Sequence, residues 1–189
     1  MLQTGAFYTC GQQGTAWSNR GNVLRNSVFK RIRNTTPFHL GDPSVQAVYL
    51  DDQISGWDIY NNTFIDSHVG ICIGGGRDNL LHGNSCPSTV TCVHVDNRGQ
   101  NWEQTSCNVS VCGTKLPTVG GCDPLGLEKM MAFPAWQAAF PELKGALPDP
   151  CTPVGNVVTA NTFSAGQFID QPRATTDAWK MTVHDNKKV

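Results

Sequence analysis

The sequence predicts an all-β protein in which the chain winds into a right-handed parallel β-helix. Three observations favour this fold: short apolar segments recur at a nearly constant spacing, apolar and polar positions alternate within each segment, and asparagines recur in one register after it. Strands that repeat without intervening helices are typical of coils stacked along one axis. We expect one domain over residues 1–189, interrupted by an insertion at residues 100–153.

The first repeated segment occurs four times. Its last three copies begin at Ala47, Gly70 and Cys92, which lie 23 and 22 residues apart. The second and fourth residues of every copy are apolar or β-branched: Phe7 and Thr9, Val48 and Leu50, Ile71 and Ile73, Val93 and Val95. A period of two predicts a strand with one buried face, so the third and fifth residues face outward.

A second segment follows each copy of the first. It begins with an aliphatic residue and ends with Phe or Cys, at residues 24–29, 59–64, 81–86 and 158–163. Asn62, Asn84 and Asn161 share one position in it, Ser27 takes the same position in the first copy, and Val183 begins a further copy. Asparagines stacked in successive coils can hydrogen-bond to one another. An antiparallel sandwich of short strands, the alternative fold, does not account for this agreement between positions.

The insertion carries four of the eight cysteines, which are Cys107, Cys112, Cys122 and Cys151. Five large apolar residues can share one side of a short helix that Pro134 and Pro141 break; they are Met131, Phe133, Trp136, Phe140 and Leu143. We expect a disulfide-linked excursion that packs on the wall of the coils. The alternative is that its aromatic rings line a sugar subsite.

The composition favours an extracellular protein. The number of cysteines is even, and sequons begin at Asn34, Asn61 and Asn108, as in glycoproteins of the oxidising secretory pathway. No signal peptide is visible and both ends fall within a coil, so we expect a fragment of a longer solenoid. The net charge is −1 and no apolar run is long, which argues against nucleic-acid binding and membrane insertion. We also expect a monomer.

Several motifs resemble the right-handed parallel β-helix repeat proteins of the pectate-lyase-like superfamily. They lie at residues 47–52, 55–57, 74–79 and 96–99 (followed by Trp102), then at 133–136, 140–143 and 153–156. The resemblance implies the fold and a chemistry directed at polysaccharides, because many members are glycoside hydrolases or polysaccharide lyases. The chain lacks the Gly-His-Gly and Arg-Ile-Lys segments of polygalacturonases, so pectin hydrolysis is not implied.

The outward positions of the first segment hold two paired carboxylates. Asp51 and Asp96 lie two coils apart, or about 9.6 Å at ~4.8 Å per coil, and Gly74 lies between them. Side-chain tilt can bring the carboxyl groups to the ~6.5–9.5 Å that inverting glycosidases use, with room for a sugar ring over Gly74. We therefore expect Asp51 and Asp96 to act as acid and base in a polysaccharide hydrolase. The alternative is that both are solvent-exposed turn residues.

Five further residues are candidates around this pair. His94 can act as a general base, and its outward neighbour Tyr49 as an acid or a sugar platform. Asp52 either shapes the bend or supplies a third carboxylate. Arg77 and Arg98 either pair with nearby aspartates or grip the carboxylate of a uronate.

Two other functions remain open. In a polysaccharide lyase, Ca²⁺ held by Asp51, Asp52 and Asp96, or instead Arg77 or Arg98, would neutralise the uronate while a basic residue such as His94 or an arginine removes the C5 proton. In a non-catalytic solenoid, the same face would bind glycan or form part of a cell-surface layer. The hydrolase hypothesis requires no cofactor, and we expect no zinc site because the chain has no Cys-x-x-Cys pair.

Overall fold

The strands of the protein stack into three parallel sheets. The computed structural model describes residues 4–11, 19–35, 45–101, 130–145, 152–164, 166–170 and 178–189. The first sheet contains β1 (Thr4–Cys10), β4 (Val45–Asp51), β7 (Val69–Gly74), β10 (Thr91–Asp96) and β13 (Gln167–Asp170). The second contains β2 (Val23–Arg25), β5 (Asp58–Tyr60), β8 (Leu80–His82), β11 (Val157–Thr159) and β14 (Thr182–His184). The third contains β3 (Val28–Lys30), β6 (Thr63–Ile65), β9 (Ser85–Cys86), β12 (Thr162–Phe163) and β15 (Lys187–Lys188).

Each turn of the chain adds one strand to every sheet in the same order. The first sheet runs β1-β4-β7-β10-β13, and the other two follow the same succession of coils. All strand pairs of the described chain are parallel, and Ile71 pairs with Val48 on one side and with Val93 on the other. The predicted stacking and register are therefore confirmed, and the antiparallel sandwich is excluded. Handedness stays a prediction.

The apolar positions of the repeat fill the interior between the sheets. Six of the first-sheet residues predicted to face inward are at most 1% exposed; they are Val48, Leu50, Ile71, Ile73, Val93 and Val95. Ile59, Phe64, Leu81 and Val158 from the other sheets join the same cluster. Burial of each such side chain contributes roughly 1.5–3 kcal/mol. In the first coil, Phe7, Leu24 and Phe29 are only partly buried against this core.

The predicted asparagine ladder runs along the corner between the second and third sheets. The backbone N–H and the side-chain Nδ2 of Asn62 both donate to Oδ1 of Asn84 at 3.1 Å. Asn84 donates in the same way to Asn161, and Asn161 to Asn186. The Oδ1 atom of each accepting asparagine thus satisfies both the backbone N–H and the side-chain amide of the preceding coil.

The residue before each ladder position has a left-handed backbone. Its φ lies between 53° and 62° in all five coils, at Asn26, Asn61, Gly83, Ala160 and Asp185. Glycine, asparagine and aspartate adopt this conformation at low cost, whereas alanine does not. The corner is therefore built from the same backbone turn in every coil, and Ala160 is its least suited residue.

A second ladder, which the sequence analysis did not predict, lies at the corner before the second sheet. The backbone N–H of Trp57 donates to Oδ1 of Asn79 at 3.0 Å. The backbone N–H and Nδ2 of Asn79 both donate to Oδ1 of Asn156 at 3.0 Å. This ladder is hard to recognise in the sequence for two reasons. Trp57 stands where the other coils have asparagine, and residues 97–153 separate the coil of Asn79 from that of Asn156.

One disulfide links Cys86 and Cys92 inside the core. Cys86 takes the interior position that Phe29, Phe64 and Phe163 occupy in other coils, and both cysteines are at most 1% exposed. This pair supports the predicted use of cysteines in disulfides. The four cysteines predicted to staple the insertion lie outside the described residues.

The described part of the insertion lies against the coils. Helix α1 (Pro134–Ala139) leads into a 3₁₀ turn (Pro141–Gly145), and Leu143 is fully buried against Met130, Met131, Trp136 and Phe140. Arg20 of the first coil donates to Glu142 at 2.6 Å, and its guanidinium faces the ring of Phe140. The segment thus contacts the coil through Arg20, while its apolar residues pack on one another, so their predicted packing on the coil wall stays a prediction.

The prediction for Phe133 is wrong. Its ring is 62% exposed, because the chain at Phe133 is still extended and only enters the helix at Pro134. None of the helices in the described ranges is long and apolar enough to cross a bilayer.

We expect Asn84→Ala to lower the free energy of unfolding by about 3 kcal/mol, because it leaves buried donors and acceptors on both neighbouring coils unpaired. Urea denaturation followed by circular dichroism measures the change. The matched control is Asn61→Gly at the adjacent exposed corner, which keeps a residue suited to positive φ. An equal effect of the two substitutions would show that the ladder does not stabilise the fold.

We expect Ala160→Gly to raise the free energy of unfolding by about 1 kcal/mol, because glycine relieves the left-handed strain of alanine. The reverse change in the same column, Gly83→Ala, should lower it, since a Cβ there would lie 2.7 Å from Oδ1 of Asn61. The same denaturation assay compares both variants with the parent, and a destabilising Ala160→Gly would contradict this account of the corner.

Candidate functional site

The predicted site residues of the first sheet gather around one arginine. Arg98 follows β10 in a 3₁₀ turn (Arg98–Gln100), and its backbone N–H donates to Oδ1 of Asp96 at 3.0 Å. This turn directs the side chain back across the outer face of β7. We use the term Arg98 cluster for Tyr49, Asp51, Asp52, Asp96 and Arg98.

Two glycines make room for the arginine side chain. A Cβ on Gly74 would lie 2.5 Å from Cζ of Arg98, and one on Gly75 would lie 2.8 Å from its Cγ. The gap that the sequence predicts over Gly74 is therefore real, but the guanidinium fills it rather than leaving it open for a sugar ring. Gly75 also has a φ of 73°, so it shapes the bend as its position suggests.

The guanidinium of Arg98 contacts three carboxylates. Its Nε and Nη2 donate to Asp96 at 2.9 and 2.6 Å, while Nη1 donates to Asp51 and lies 3.4 Å from Asp52. Both Nη atoms also lie 3.2 Å from the hydroxyl of Tyr49. The arginine side chain is 3% exposed. The internal ion pair that the sequence left open for Arg98 is the arrangement that the structure shows.

Asp51 and Asp52 have further donors from the first coil. The hydroxyl of Tyr8 donates to Oδ2 of Asp51 at 2.8 Å, and the thiol of Cys10 donates to Oδ2 of Asp52 at 3.0 Å. Burial, followed by the hydrogen bond to Asp51, raises the pKa of Tyr8 well above its ordinary value. Neither residue was predicted as part of the site, although Tyr8 pairs with Tyr49 and Cys10 with Asp51 in the first sheet. Their position one coil below Tyr49 and Asp51 was the available signal.

The partly exposed side of the cluster is formed by His94 and Asp96. Burial alone would raise the pKa of Asp96, but the nearby imidazole of His94 and the hydrogen bonds and charge of Arg98 lower it to about 2. Burial would lower the pKa of His94, but Asp96 and Asp170 outweigh it and raise that pKa above 6.5. The imidazole lies 3.8 Å from Asp96 and 3.4 Å from Asp170. Asp170, on β13, was not predicted.

Two other candidates lie in places that limit contact with a ligand. Tyr49 faces outward as predicted, but its exposure is 0%, so the prediction of an accessible sugar platform is wrong. It packs with Val69 and Cys72 of β7 in a small cluster on the outer face of the first sheet. Arg77 is 5% exposed, and its Nε donates to Asp78 at 3.2 Å. The internal pairing that the sequence left open for Arg77 is therefore also present.

The described residues do not fit a calcium ion at this site. Ligand atoms of Cys10, Asp51 and Asp52 lie within 4.8 Å of one another, which is close enough to surround a cation. Calcium, however, takes six to eight oxygen ligands, and Nη1 of Arg98 already lies between the oxygens of Asp51 and Asp52. An ion placed there would face a fixed positive charge and a soft thiol.

No known family model matches the chain, and no curated protein or solved structure is similar to it. The fold assignment therefore rests on the three parallel sheets and their register. The link to the pectate-lyase-like superfamily stays a prediction from the motifs.

We expect Asp96 to stabilise the fold above pH 4 and to lose this effect as the pH falls towards 2. Its pKa is about 2 in the folded protein against an ordinary 3.8, so the unfolded chain binds the proton first and acid favours unfolding. The unfolding free energies of the parent and Asp96→Asn should approach each other by about 2 kcal/mol between pH 6 and pH 2.

Urea denaturation at pH 6, 4 and 2 measures this convergence. Asp66→Asn is the matched control, because Asp66 forms an exposed ion pair with Arg33 and such pairs contribute little. A gap between the parent and Asp96→Asn that stays constant with pH would contradict the role given to Asp96.

Proposed function

We propose that the protein is a carbohydrate-active β-helix protein that hydrolyses a polysaccharide along the outer face of the first sheet. The observation that carries this proposal is the proximity of Asp96 and His94, which lie 3.8 Å apart, with the pKa of the carboxyl lowered to about 2 and that of the imidazole raised. Both side chains are about one-third exposed, so a ligand can reach them. The motifs shared with the pectate-lyase-like superfamily support a polysaccharide as the substrate class.

The two side chains would divide the chemistry as follows. Protonated His94 donates its proton to the glycosidic oxygen of the leaving sugar as that bond breaks. Asp96 stabilises the positive charge that develops at the anomeric carbon, because its low pKa makes it a persistent negative charge. A water from solvent adds its hydroxyl to the anomeric carbon and releases its proton to solvent, and solvent reprotonates His94.

Asp51 has a supporting role in this proposal. Its side chain is 11% exposed and accepts hydrogen bonds from Tyr8 and Arg98. It therefore holds the guanidinium that in turn holds Asp96 ionised. This differs from the acid-base pair of Asp51 and Asp96 that the sequence predicts, and it assigns the proton donor to His94.

The second candidate is a solenoid that binds glycan without cleaving it. Arg98 engages all three carboxylates of the cluster, an arrangement that also suits a purely structural ion network. Tyr8, His94 and Asp170 would then bind sugar hydroxyl groups. A calcium-dependent lyase has less support, because calcium does not fit and the two candidate uronate-binding arginines, Arg77 and Arg98, already form ion pairs.

Reducing-end release from a panel of neutral, amino and uronate polysaccharides tests the proposal. We expect Asp96→Asn and His94→Gln each to lower kcat by about 100-fold or more, while Asp66→Asn on the third sheet leaves it unchanged. The parent should lose activity as the pH rises through the pKa of His94, because the proton donor becomes neutral.

Other outcomes of the same assay would replace the proposal. Full activity in both variants would remove Asp96 and His94 from the mechanism. Retention of a polysaccharide without new reducing ends would indicate the non-catalytic solenoid. An unsaturated product that absorbs in the ultraviolet would indicate elimination instead of hydrolysis.

A further inference from the structure

The sequon that begins at Asn61 lies on the corner between the second and third sheets. Asn61 precedes the ladder residue Asn62, and Thr63 is the first residue of β6. An asparagine followed after one further residue by threonine is the acceptor motif for N-linked glycans. The proposed hydrolysis makes no use of this motif.

The corner turns the first and third residues of the motif outward. Asn61 is exposed and Thr63 is partly exposed, whereas Asn62 between them is 1% exposed. Asn62 points into the ladder, where its Nδ2 donates to Oδ1 of Asn84. In β6 only the central Phe64 is buried, so Thr63 faces outward. The amide of Asn61 and the hydroxyl of Thr63 therefore lie on the solvent side.

The side chain of Asn61 takes little part in the fold. Its backbone N–H donates to the carbonyl oxygen of His82 at 3.3 Å, and its φ of 53° is one that asparagine adopts readily. Within the part of the chain that the structure describes, no hydrogen bond uses Nδ2 of Asn61. A sugar joined to that nitrogen would thus replace no contact of the folded chain.

Other positions do not combine these features. The equivalent corners at residues 26–28, 83–85, 160–162 and 185–187 lack the asparagine, the hydroxyl or both. Of the other two sequons, Asn34 is only partly exposed and has contacts of its own, and Asn108 lies outside the described residues.

We propose that Asn61 is an N-glycosylation site that carries one oligosaccharide on the side of the coils away from the first sheet. The donor is an oligosaccharide linked to a lipid through pyrophosphate. Nδ2 of Asn61 bonds to C1 of the first sugar and loses one proton to the transferring enzyme. The bond from C1 to the pyrophosphate oxygen breaks, and its electron pair leaves with the lipid pyrophosphate.

The site is independent of the proposed hydrolysis. The corner of Asn61 joins the second and third sheets, so the glycan leaves the outer face of the first sheet open. The modification requires passage through the secretory pathway, which the disulfide between Cys86 and Cys92 supports.

Peptide mapping of the protein isolated from the cells that make it tests the proposal. Peptide-N-glycosidase in H₂¹⁸O converts each glycosylated asparagine to a labelled aspartate, and we expect this label at Asn61 in most molecules. Asn61→Gly and Thr63→Val, made in the same cells, should each lower the mass of the chain by one glycan. The first keeps a residue suited to positive φ, and the second keeps the shape of threonine.

Ala160→Asn is the matched control in a later coil. Ala160 is exposed, has a φ of 54° and is followed by Asn161 and Thr162, so the substitution completes a sequon on the same kind of corner. We expect it to add one further glycan.

Three results would overturn the inference. The first is an unlabelled Asn61 in the purified protein, whether or not Asn34 or Asn108 carries the label. The second is a chain mass that neither Asn61→Gly nor Thr63→Val changes. The third is an Ala160→Asn chain without an added glycan, which would show that the corner does not present the motif.

Discussion

The hydrogen bonds that keep successive coils in register are the interaction on which the rest of the structure depends. A slip of one residue would exchange the inward and outward faces of a strand. The ladder from Asn62 to Asn186 prevents this slip, because each amide binds both the backbone and the side chain of the next coil. Asp51 and Asp96 share one wall of the first sheet only as long as this alignment holds.

The sequence could predict those features that repeat from coil to coil. Alternation in segments such as residues 70–75 predicted the strands and their buried face, and the shared position of Asn62, Asn84 and Asn161 predicted the ladder. Each feature appears several times, so several copies support the same interpretation. The stacking of Asp51, Gly74 and Asp96 on one wall followed from the same alignment.

The sequence could not predict contacts that occur only once. The path of Arg98 depends on a 3₁₀ turn after β10 that has no counterpart in the other described coils, so the space over Gly74 looked open. The burial of Tyr49 depends on Val69 and Cys72 of β7 and on the guanidinium of Arg98, which covers its hydroxyl from the same turn. Asp170 was not predicted because it lies 76 positions after its strand neighbour His94, far more than the period of the repeat.

The charged groups of the candidate site differ between its buried side and its solvent-exposed side. The buried side, where Asp51 and Asp52 lie, pairs with Arg98, while on the more exposed side the pKa of Asp96 is lowered and that of the neighbouring His94 is raised. A buried ion network is rigid because each partner is costly to leave unpaired. The rigid part therefore holds the exposed pair in one orientation, which a hydrolase and a glycan-binding protein would both require.

The disulfide between Cys86 and Cys92 is buried, so it can form or be reduced only while the middle coil is unfolded. Cys86 lies where other coils place a phenylalanine ring, and both cysteines are buried away from any dissolved reductant. Thiol exchange requires direct attack on a sulfur atom, so the bond can be cut only after the interior has been exposed. Once closed, it is protected by the same apolar residues that it helps to hold together, and the assembled protein retains the oxidation state in which it folded.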